Sequence, residues 1–330
     1  MSKIAIINCS SNVYNFATAK MVNKFRAEGH EVFVSSHADM WARQCDRAYL
    51  SAIFTYDLPA LVTDVNNLLM AGVEVEIGGP GPTALPQYVA KTGITPHVGL
   101  DERFEHIPGD NYEVTFTSRG CPRACSFCIV SRMEGRQIIE YDEFPIPSGQ
   151  NPKLGDNNLL LTSWAHQELV VKKLKGVPNL DYNSGFDDRI FIKNPERYWQ
   201  LYNELDLECW RFAYDSPEQR EAIRACSEFL HSKGVDYRHI IVFCLIGGPG
   251  SDVDTDAEKL TYLIDLGTSC YPMRYKPLDC LTKTYDPPGW EPKMIDKLFN
   301  WGGVPWHWRT VKWPDFKKQA KLQGDEWRLL

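Results

Sequence analysis

The sequence between Thr117 and Val130 reads Thr117-Ser-Arg-Gly-Cys-Pro-Arg-Ala-Cys-Ser-Phe-Cys-Ile-Val130. It places Cys121, Cys125 and Cys128 at C-x3-C-x2-C spacing, directly after a strand-like run from 112 to 117. Three thiolates this close can converge on one face of an iron–sulfur cubane. A [4Fe–4S] cluster normally takes four cysteines. The spacing therefore predicts a cluster that keeps one iron open for another ligand.

Two other interpretations of these cysteines are a zinc site and three ordinary buried thiols. Structural zinc sites usually use four ligands in paired clusters, and no partner pair lies at a suitable spacing in this sequence. The surroundings of the motif favour the cluster, because an aromatic residue, Phe127, directly precedes the third cysteine and Arg119-Gly120 leads into the first.

This motif resembles that of the radical S-adenosylmethionine (SAM) superfamily. In that family the open iron binds the amino and carboxylate groups of SAM, and the aromatic residue at the position of Phe127 lies against the adenine. The resemblance implies reductive cleavage of SAM to methionine and a 5′-deoxyadenosyl radical, which abstracts hydrogen from a substrate. It also implies a one-electron reductant of the flavodoxin or ferredoxin type as a partner.

Composition limits the other classes of protein. A chain of 330 residues with 43% hydrophobic content is long enough for two domains, or for one barrel with appendages. No apolar run approaches the roughly 20 residues that span a bilayer. Ten cysteines without an export signal indicate reduced thiols, and we expect a cytoplasmic protein. The net charge of −7 argues against a globally basic nucleic-acid binder.

Residues 1–108 predict a small α/β unit. Strands are predicted at 4–8, 31–35, 52–56 and 73–77, and helices at 15–28 and 61–70. Strands that alternate with helices imply a parallel sheet with covered faces. The order of elements, with the glycine turn Gly78-Gly-Pro-Gly81, resembles the Rossmann-like cobalamin-binding (B12-binding-like) domain that precedes many radical SAM barrels.

One departure from that domain bears on its cofactor. The family's cobalt-ligating histidine should follow the first strand, but the loop there reads Asn8-Cys-Ser-Ser-Asn-Val-Tyr14. We therefore expect that cobalamin is not bound. The same loop resembles the first-cysteine region of the methylthiotransferases, and Cys9 fits that pattern. The third predicted strand ends without a cysteine and the fourth ends at Gly78-Gly79, so a small buried residue is the favoured interpretation of Cys9.

Residues 109–285 predict six strands separated by helices, the partial TIM-type (β/α)6 barrel of the superfamily. The strands are expected at 112–117, 158–164, 180–185, 208–214, 239–246 and 272–277, and the helices at 167–174, 195–205, 217–233 and 255–265. Active sites of β/α barrels lie at the carboxyl ends of the strands. The resemblance implies that SAM-binding residues come from these ends.

The candidate SAM-binding residues, besides Phe127, follow strands two to five: Thr162, Ser163, Asp187, Arg189, Tyr214, Asp215 and Gly247. Asp187 and Arg189 map onto acidic and basic positions of a segment found in one radical SAM subgroup. An arginine suits a carboxylate, and an aspartate can accept from ribose hydroxyls. The alternatives are a surface ion pair for Asp187–Arg189 and a helix N-cap for Asp215. His166 after strand two is interpreted as a helix-start or packing residue.

The segment 286–330 is rich in tryptophan and contains basic residues among the rings. The tryptophans are Trp290, Trp301, Trp306, Trp308, Trp313 and Trp327, and the basic residues are Arg309, Lys312, Lys317 and Lys318. Such a segment could stack on bases or bury its rings against the open side of the barrel. We favour closure of the barrel or of the substrate mouth.

The sequence as a whole predicts a radical SAM enzyme whose substrate, a small molecule or a nucleic acid, is not identified. The nearest alternative is a methylthiotransferase-like or cobalamin-dependent methyltransferase-like modification of RNA or a small molecule. Two further alternatives belong to other functional classes than enzymes. An iron–sulfur electron-transfer protein would need a fourth cluster ligand, and a zinc-bearing nucleic-acid module conflicts with the acidic charge.

Overall fold

The computed structural model describes residues 1–304 and 310–322. It is a mixed α/β structure with parallel sheets, which confirms the predicted α/β class. The chain divides into two compact units. The first contains Met1–Asn157, Trp164–Pro178 and Pro277–Lys283, and the second contains Asn158–Ser163, Asn179–Lys276 and the described residues from Thr284 onward. The domain boundaries expected at 108 and 285 stay a prediction.

The first unit begins with a four-stranded parallel sheet in the order β2-β1-β3-β4. Its elements are β1 (Lys3–Asn8), α1 (Phe16–Ala27), β2 (Glu31–Ser35), β3 (Arg47–Ser51), α2 (Leu58–Met70) and β4 (Glu74–Gly78). Ile4 to Ile7 of β1 are fully buried, as expected for a strand covered on both faces. Asn15 caps α1, because its side chain accepts from the backbone N–H of Thr18.

The third strand of this sheet was predicted at 52–56, and that prediction is wrong. Residues 47–51 pair with β1 and β4 instead, with Ala48 opposite Ala5 and Val75. The stretch from 47 to 54 is apolar over more residues than one strand needs, so its pattern does not fix which part enters the sheet. Residues 55–57 form a 3-10 turn that leads into α2.

The rest of the first unit has short elements. They are α3 (Pro80–Ala84), α4 (Pro86–Val89), β5 (Val114–Thr115), β6 (Ser118–Arg119), α5 (Val130–Met133), β7 (Ile139–Glu140), β8 (Lys153–Leu154) and α6 (Trp164–Leu174). Strand β5 pairs in parallel with β8, and β6 pairs antiparallel with β7. The single strand predicted at 112–117 is therefore replaced by two short ones that have different partners.

The second predicted barrel strand, at 158–164, is also wrong. Leu159–Leu161 is a 3-10 turn with Leu159 and Leu160 buried, and the Thr162 hydroxyl donates to the Leu159 carbonyl at 2.7 Å. The parallel partner of β5 is β8, which precedes the predicted strand at 158–164. A short run of leucines is compatible with either a strand or a turn, because burial does not distinguish them.

The second unit contains a three-stranded parallel sheet, β10-β11-β12. Its strands and helices are β9 (Asp181–Tyr182), α7 (Asp188–Phe191), α8 (Pro195–Tyr202), β10 (Trp210–Tyr214), α9 (Arg220–Ser232), β11 (Ile240–Ile246), α10 (Val253–Asp265), β12 (Ser269–Arg274), α11 (Met294–Gly303) and α12 (Trp313–Leu322).

The fourth and fifth predicted barrel strands are confirmed within two residues, as β10 and β11. The third is shorter than predicted, and the sixth lies three residues earlier.

The described part of the tryptophan-rich segment packs within the second unit. Helix α11 contacts β12 and α10. Trp301 and Trp313 are buried, with ring centroids 5.5 Å apart, and the Trp313 indole donates to Asp254 at 3.1 Å. These two rings therefore serve packing. Residues Trp306, Trp308, Arg309 and Trp327 lie outside the described residues.

A search of the described helices finds none that combines the length and the apolar character needed to cross a bilayer.

Candidate functional site

The three motif cysteines lie on a loop between β6 and α5. Each is partly accessible to solvent. The backbone N–H of Cys121 donates to the Gly135 carbonyl at 3.2 Å, and that of Cys128 donates to the Cys125 carbonyl at 3.0 Å. Ala124, between the first two cysteines, has a φ of 49°. An alanine in this left-handed region is strained, so the surrounding contacts hold the loop in a specific path.

Gly120 sets the direction in which the chain enters this loop. Its φ is 84°, and a Cβ placed there would clash with the carbonyl oxygen of Gln137. The N–H of Gly120 donates to Oε2 of Glu134 at 2.9 Å. Glycine is therefore required at this position both by the backbone conformation and by the close approach of residue 137.

A buried group of four charges anchors the residue before this glycine. Arg119 donates to Glu105 at 3.0 Å and to Glu134 at 3.1 Å, and Lys20 pairs with Glu105. The side chains of these four residues are all less than a tenth exposed. Burial acts to raise the pKa of Glu105, but the positive charges of Arg119 and Lys20 outweigh it and hold that pKa below its usual value. The group is balanced in charge.

A second buried polar group lies where β5 leads into β6. The fully buried carboxylate of Asp156 accepts from the Thr117 N–H at 2.9 Å, from the Thr117 hydroxyl at 2.8 Å and from the Ser118 hydroxyl. His166 Nε2 lies 3.0 Å from the Thr117 hydroxyl. Burial raises the pKa of Asp156 and lowers that of His166. His166 is thus a buried packing residue, as the sequence predicted.

The other cysteines contrast with the motif. Cys45, Cys209, Cys226, Cys244 and Cys270 are buried, and only Cys9 and Cys280 share the partial exposure of the motif thiols. Burial raises the pKa of Cys9 well above its ordinary value, which agrees with a small residue at the end of a buried strand. Burial also raises the pKa of Cys128, with the neighbouring Cys125 and Cys121 adding to it.

The described residues contain one compact group of potential metal ligands, and it lies outside the cysteine motif. Among the described residues, one group of three potential ligands has its atoms within 4.8 Å of one another, and this group is Asp181, Glu208 and Cys209. The three motif thiols are not within that distance of one another. The ligand role of Cys121, Cys125 and Cys128 stays a prediction from their spacing in the sequence.

The compact trio in the second unit is occupied by the chain's own cation. Arg211 Nη2 lies 2.7 Å from Asp181 Oδ1 and 3.4 Å from Glu208 Oε2. A metal ion would have to displace this guanidinium. The arrangement is therefore an ion-pair network with Cys209 packed beside it.

Asp187 and Arg189 contact each other in the second unit. Arg189 Nε donates to Asp187 Oδ1 at 3.0 Å, and Asn158 donates to Oδ2 at 2.9 Å. Asp187 also caps α7 by accepting from the Arg189 N–H. Its side chain is 3% exposed, whereas that of Arg189 is 45% exposed. The ion pair at a helix entry is thus present, and a role in binding SAM stays a prediction.

Asp188, which sequence reasoning did not single out, lies beside this pair. Its Oδ1 accepts from Gln219 at 2.9 Å. Its Oδ2 is buried and has no hydrogen-bond partner among the described residues. Burial raises the pKa of Asp188 to about 6, and the charge of Asp187 adds to that shift. Gln219 also accepts from the N–H groups of Asp215 and Ser216, which ties the end of β10 to α7.

Gly247 lies at the carboxyl end of β11. Its N–H donates to the fully buried Asp256 at 2.6 Å, and Lys259 pairs with Asp256 at 2.8 Å. Its φ is 72°, and a Cβ there would lie 2.7 Å from both Ile295 and Pro287. The missing side chain at Gly247 thus makes room for packing by α11. Sequence reasoning had assigned this glycine to the approach of SAM, which stays a prediction.

The remaining candidate residues differ in accessibility. Phe127 is partly buried in the cysteine loop, Thr162 and Tyr214 are buried, and Ser163 is exposed. Burial raises the pKa of Asp215, and Lys259 and Arg189 act against that shift. The Asp215 carboxylate at the end of β10 is thus under the influence of one cation from α7 and one from α10.

The glycine turn after β4 has a structural role. A Cβ on Gly79 would lie 2.7 Å from the Ala52 carbonyl oxygen, and one on Gly81 would lie 2.9 Å from that of Phe54. In the loop after β1, the Ser10 hydroxyl donates to Asp57 and accepts from the Ile53 N–H at 2.9 Å. Both loops pack on residues 52–57. The absence of cobalamin stays a prediction that rests on the missing histidine.

Several residues of these networks carry no sequence signal. Glu134 and Asp156 are isolated acids in stretches without a motif, and Asp256 and Lys259 lie within an ordinary amphipathic helix. No protein-family model matches the chain, and no curated protein matches it either.

Proposed function

We propose that this protein is a radical SAM enzyme, in which Cys121, Cys125 and Cys128 hold a [4Fe–4S] cluster and SAM completes the coordination of the open iron. The observation that carries the proposal is the constrained loop. It combines a three-cysteine motif, partly accessible thiols and an entry that only glycine can adopt. When bound, the cluster and SAM would supply one-electron cleavage of a C–S bond.

The chain's own residues would then hold the loop and shape the cofactor site. Glu134 accepts from the Gly120 N–H and from Arg119, which fixes the residues preceding Cys121. Phe127 offers an aromatic face next to the third cysteine for the adenine. The assignment of Asp187 and Arg189 to SAM stays a prediction from the resemblance; in its support, Arg189 carries a half-exposed guanidinium, a group that suits a carboxylate.

The finer fold belongs to the same proposal. The sheet order β2-β1-β3-β4 supports a Rossmann-like first domain. The parallel strands β10, β11 and β12, each joined to the next by a helix, support part of a β/α barrel. In the first unit, β5 and β8 form a separate short parallel pair.

The test is iron and sulfide content together with SAM cleavage in anaerobically reconstituted protein. The intact chain should bind about four irons per molecule and release 5′-deoxyadenosine in the presence of a one-electron reductant. Replacing Cys121, Cys125 or Cys128 by Ala should abolish both. Cys280→Ala is the matched control, because Cys280 is also partly exposed but lies outside the motif.

Two results would contradict the proposal. If Cys125→Ala keeps its iron and cleaves SAM, the assignment of the ligands is wrong. If the reconstituted protein binds a full cluster but neither binds nor cleaves SAM, the electron-transfer class replaces the enzyme.

A further inference from the structure

A cavity of about 310 Å³ lies in the first unit, beside the segment that leads into the cysteine loop. It is lined by the partly buried rings of Phe16, Phe116, Tyr141 and Phe144, with prolines 108 and 145 completing the apolar wall. The volume is at the lower end of the range typical of small-molecule sites. Nothing in the proposed cluster chemistry uses these four rings.

The floor of the cavity is polar but balanced in charge. Arg119 and Glu105 line it, and the side chain of each is less than a tenth exposed. Arg119 is bonded to both Glu105 and Glu134, and Glu105 is also bonded to Lys20. Each of these charges therefore has an opposite charge already in contact. A charged ligand would have to compete with these internal pairs.

The aromatic rings themselves are already in contact with cations. Arg119 lies 3.7 Å from the centroid of Phe116, Lys20 lies 4.7 Å from that of Phe16, and Lys173 lies 5.0 Å from that of Phe144. Three of the four rings thus already have a cation of the chain over them, so the cavity does not resemble an open aromatic cage for a cationic ligand. An anion would meet Glu105 and the rim residue Glu143.

The rim supplies hydrogen-bonding groups. His106 is exposed, and its ring stands edge-on to Tyr141 with centroids 4.9 Å apart. Imidazole nitrogens and a phenolic hydroxyl can each donate or accept. Together with aromatic walls, such groups suit a flat ring that carries an amide or ring nitrogen.

We propose that this cavity binds a neutral, planar aromatic molecule, which stacks against Tyr141 and Phe144 and hydrogen-bonds to His106 at the rim. The inference goes beyond the proposed function. It concerns residues other than the cluster ligands, and binding should occur in protein that contains no iron.

The test compares three probes that share one ring and differ in charge: benzamide, benzoate and benzamidinium. Binding to the full-length chain is measured by calorimetry or ligand-observed NMR. Benzamide should bind with a dissociation constant on the order of 1 mM or tighter. A ligand of about nine heavy atoms can reach this affinity. The two charged probes should bind at least about tenfold more weakly, because burying a charge without a partner is unfavourable.

Two variants locate the binding. Phe144→Ala removes one wall and should weaken benzamide binding about tenfold. Phe54→Ala is the matched control, since Phe54 is a partly buried ring stacked on Tyr56 in the same unit and does not line the cavity. It should leave binding unchanged.

Three results would overturn the inference: no binding of benzamide, equal or tighter binding of a charged probe, or equal binding by Phe144→Ala and the intact chain. None of them bears on the cysteine ligands. Conversely, loss of the cluster in a Cys125→Ala variant should leave benzamide binding intact, so the two proposals can fail separately.

Discussion

The sheet of residues 3–78 and the cysteine-loop segment of residues 105–157 are built in different ways. In the sheet, strands of five or six residues pair along their length, and apolar side chains such as Ile6 and Leu50 fill the core. In the cysteine-loop segment each strand has two residues. Its fixed points are buried polar groups, Glu134 and Asp156, that accept from backbone N–H groups.

This difference has an energetic consequence. An apolar core tolerates changes of similar volume, because hydrophobic contacts are not directional. A buried polar network depends on every partner, because each unpaired group keeps its full desolvation cost. We therefore expect matched substitutions to have unequal effects in the two regions.

The largest expected difference is between two glutamates. Glu134→Gln keeps the shape of the side chain but replaces one of its two accepting oxygens by an NH2 donor, and it leaves Arg119 and Lys20 with one carboxylate between them. The free energy of unfolding should fall by about 3–5 kcal/mol, as when one partner of a buried pair is removed. Glu74→Gln removes a partner of Arg47 in the sheet, where both side chains are at least half exposed. It should leave the free energy of unfolding nearly unchanged, because exposed ion pairs contribute little.

Denaturant unfolding of both variants provides the measurement. Similar losses for the two would mean that the four-charge group near the cysteine loop does not determine the stability of its surroundings.

Two glycines with similar backbone angles provide the next comparison. Gly29, after α1, has a φ of 81°, and a Cβ added there would meet open space among the described residues, whereas one on Gly120 would meet the Gln137 carbonyl. Gly29→Ala should cost about 1–2 kcal/mol, the strain of a left-handed alanine. Gly120→Ala adds a steric clash and should cost about 2–5 kcal/mol.

Thermal unfolding measures both costs, and limited proteolysis reports whether the loop itself opens. In Gly120→Ala we expect faster cleavage within 120–128, and in Gly29→Ala no change there. Equal cleavage rates would show that the loop does not depend on this close approach.

The smallest expected effect tests whether a buried polar group also influences the stability of the second unit. The folded-state pKa of Asp188, about 6, lies above its ordinary value of 3.8. Its contribution to stability is therefore fully present below about pH 4 and is lost as the pH rises through 6. Asp188→Asn should remove this loss and stabilise the protein at pH 7.5 by about 1–3 kcal/mol.

Melting temperatures between pH 4 and pH 8 check this. Asp236→Asn is the control, because Arg238 holds the pKa of the exposed Asp236 below its ordinary value. This substitution should therefore change the pH dependence of stability only below about pH 4. If Asp188→Asn follows the same pH dependence as the intact chain, then Asp188 is not the buried group that titrates.

The same contrast explains what the sequence could predict. Strands β1, β2, β4, β10 and β11 were located within two residues, because buried apolar runs have a recognisable pattern. The stretch 47–56 and the leucines at 159–161 were misassigned, because apolar content alone does not choose between a strand and a turn. The cysteine spacing was visible directly. Glu134, Asp156 and Asp188 were not, since a buried acid is recognised only through partners that lie far away in the chain.

The carboxylate of Asp156 has a consequence for the exchange of backbone hydrogens with solvent. The N–H of Thr117 lies outside the strands, yet its acceptor is a carboxylate that is 0% exposed. Amide hydrogens exchange only when their hydrogen bonds open. In deuterated water, the Thr117 amide should therefore keep its proton about as long as the amides of the central strand β1, although strand pairing does not protect it.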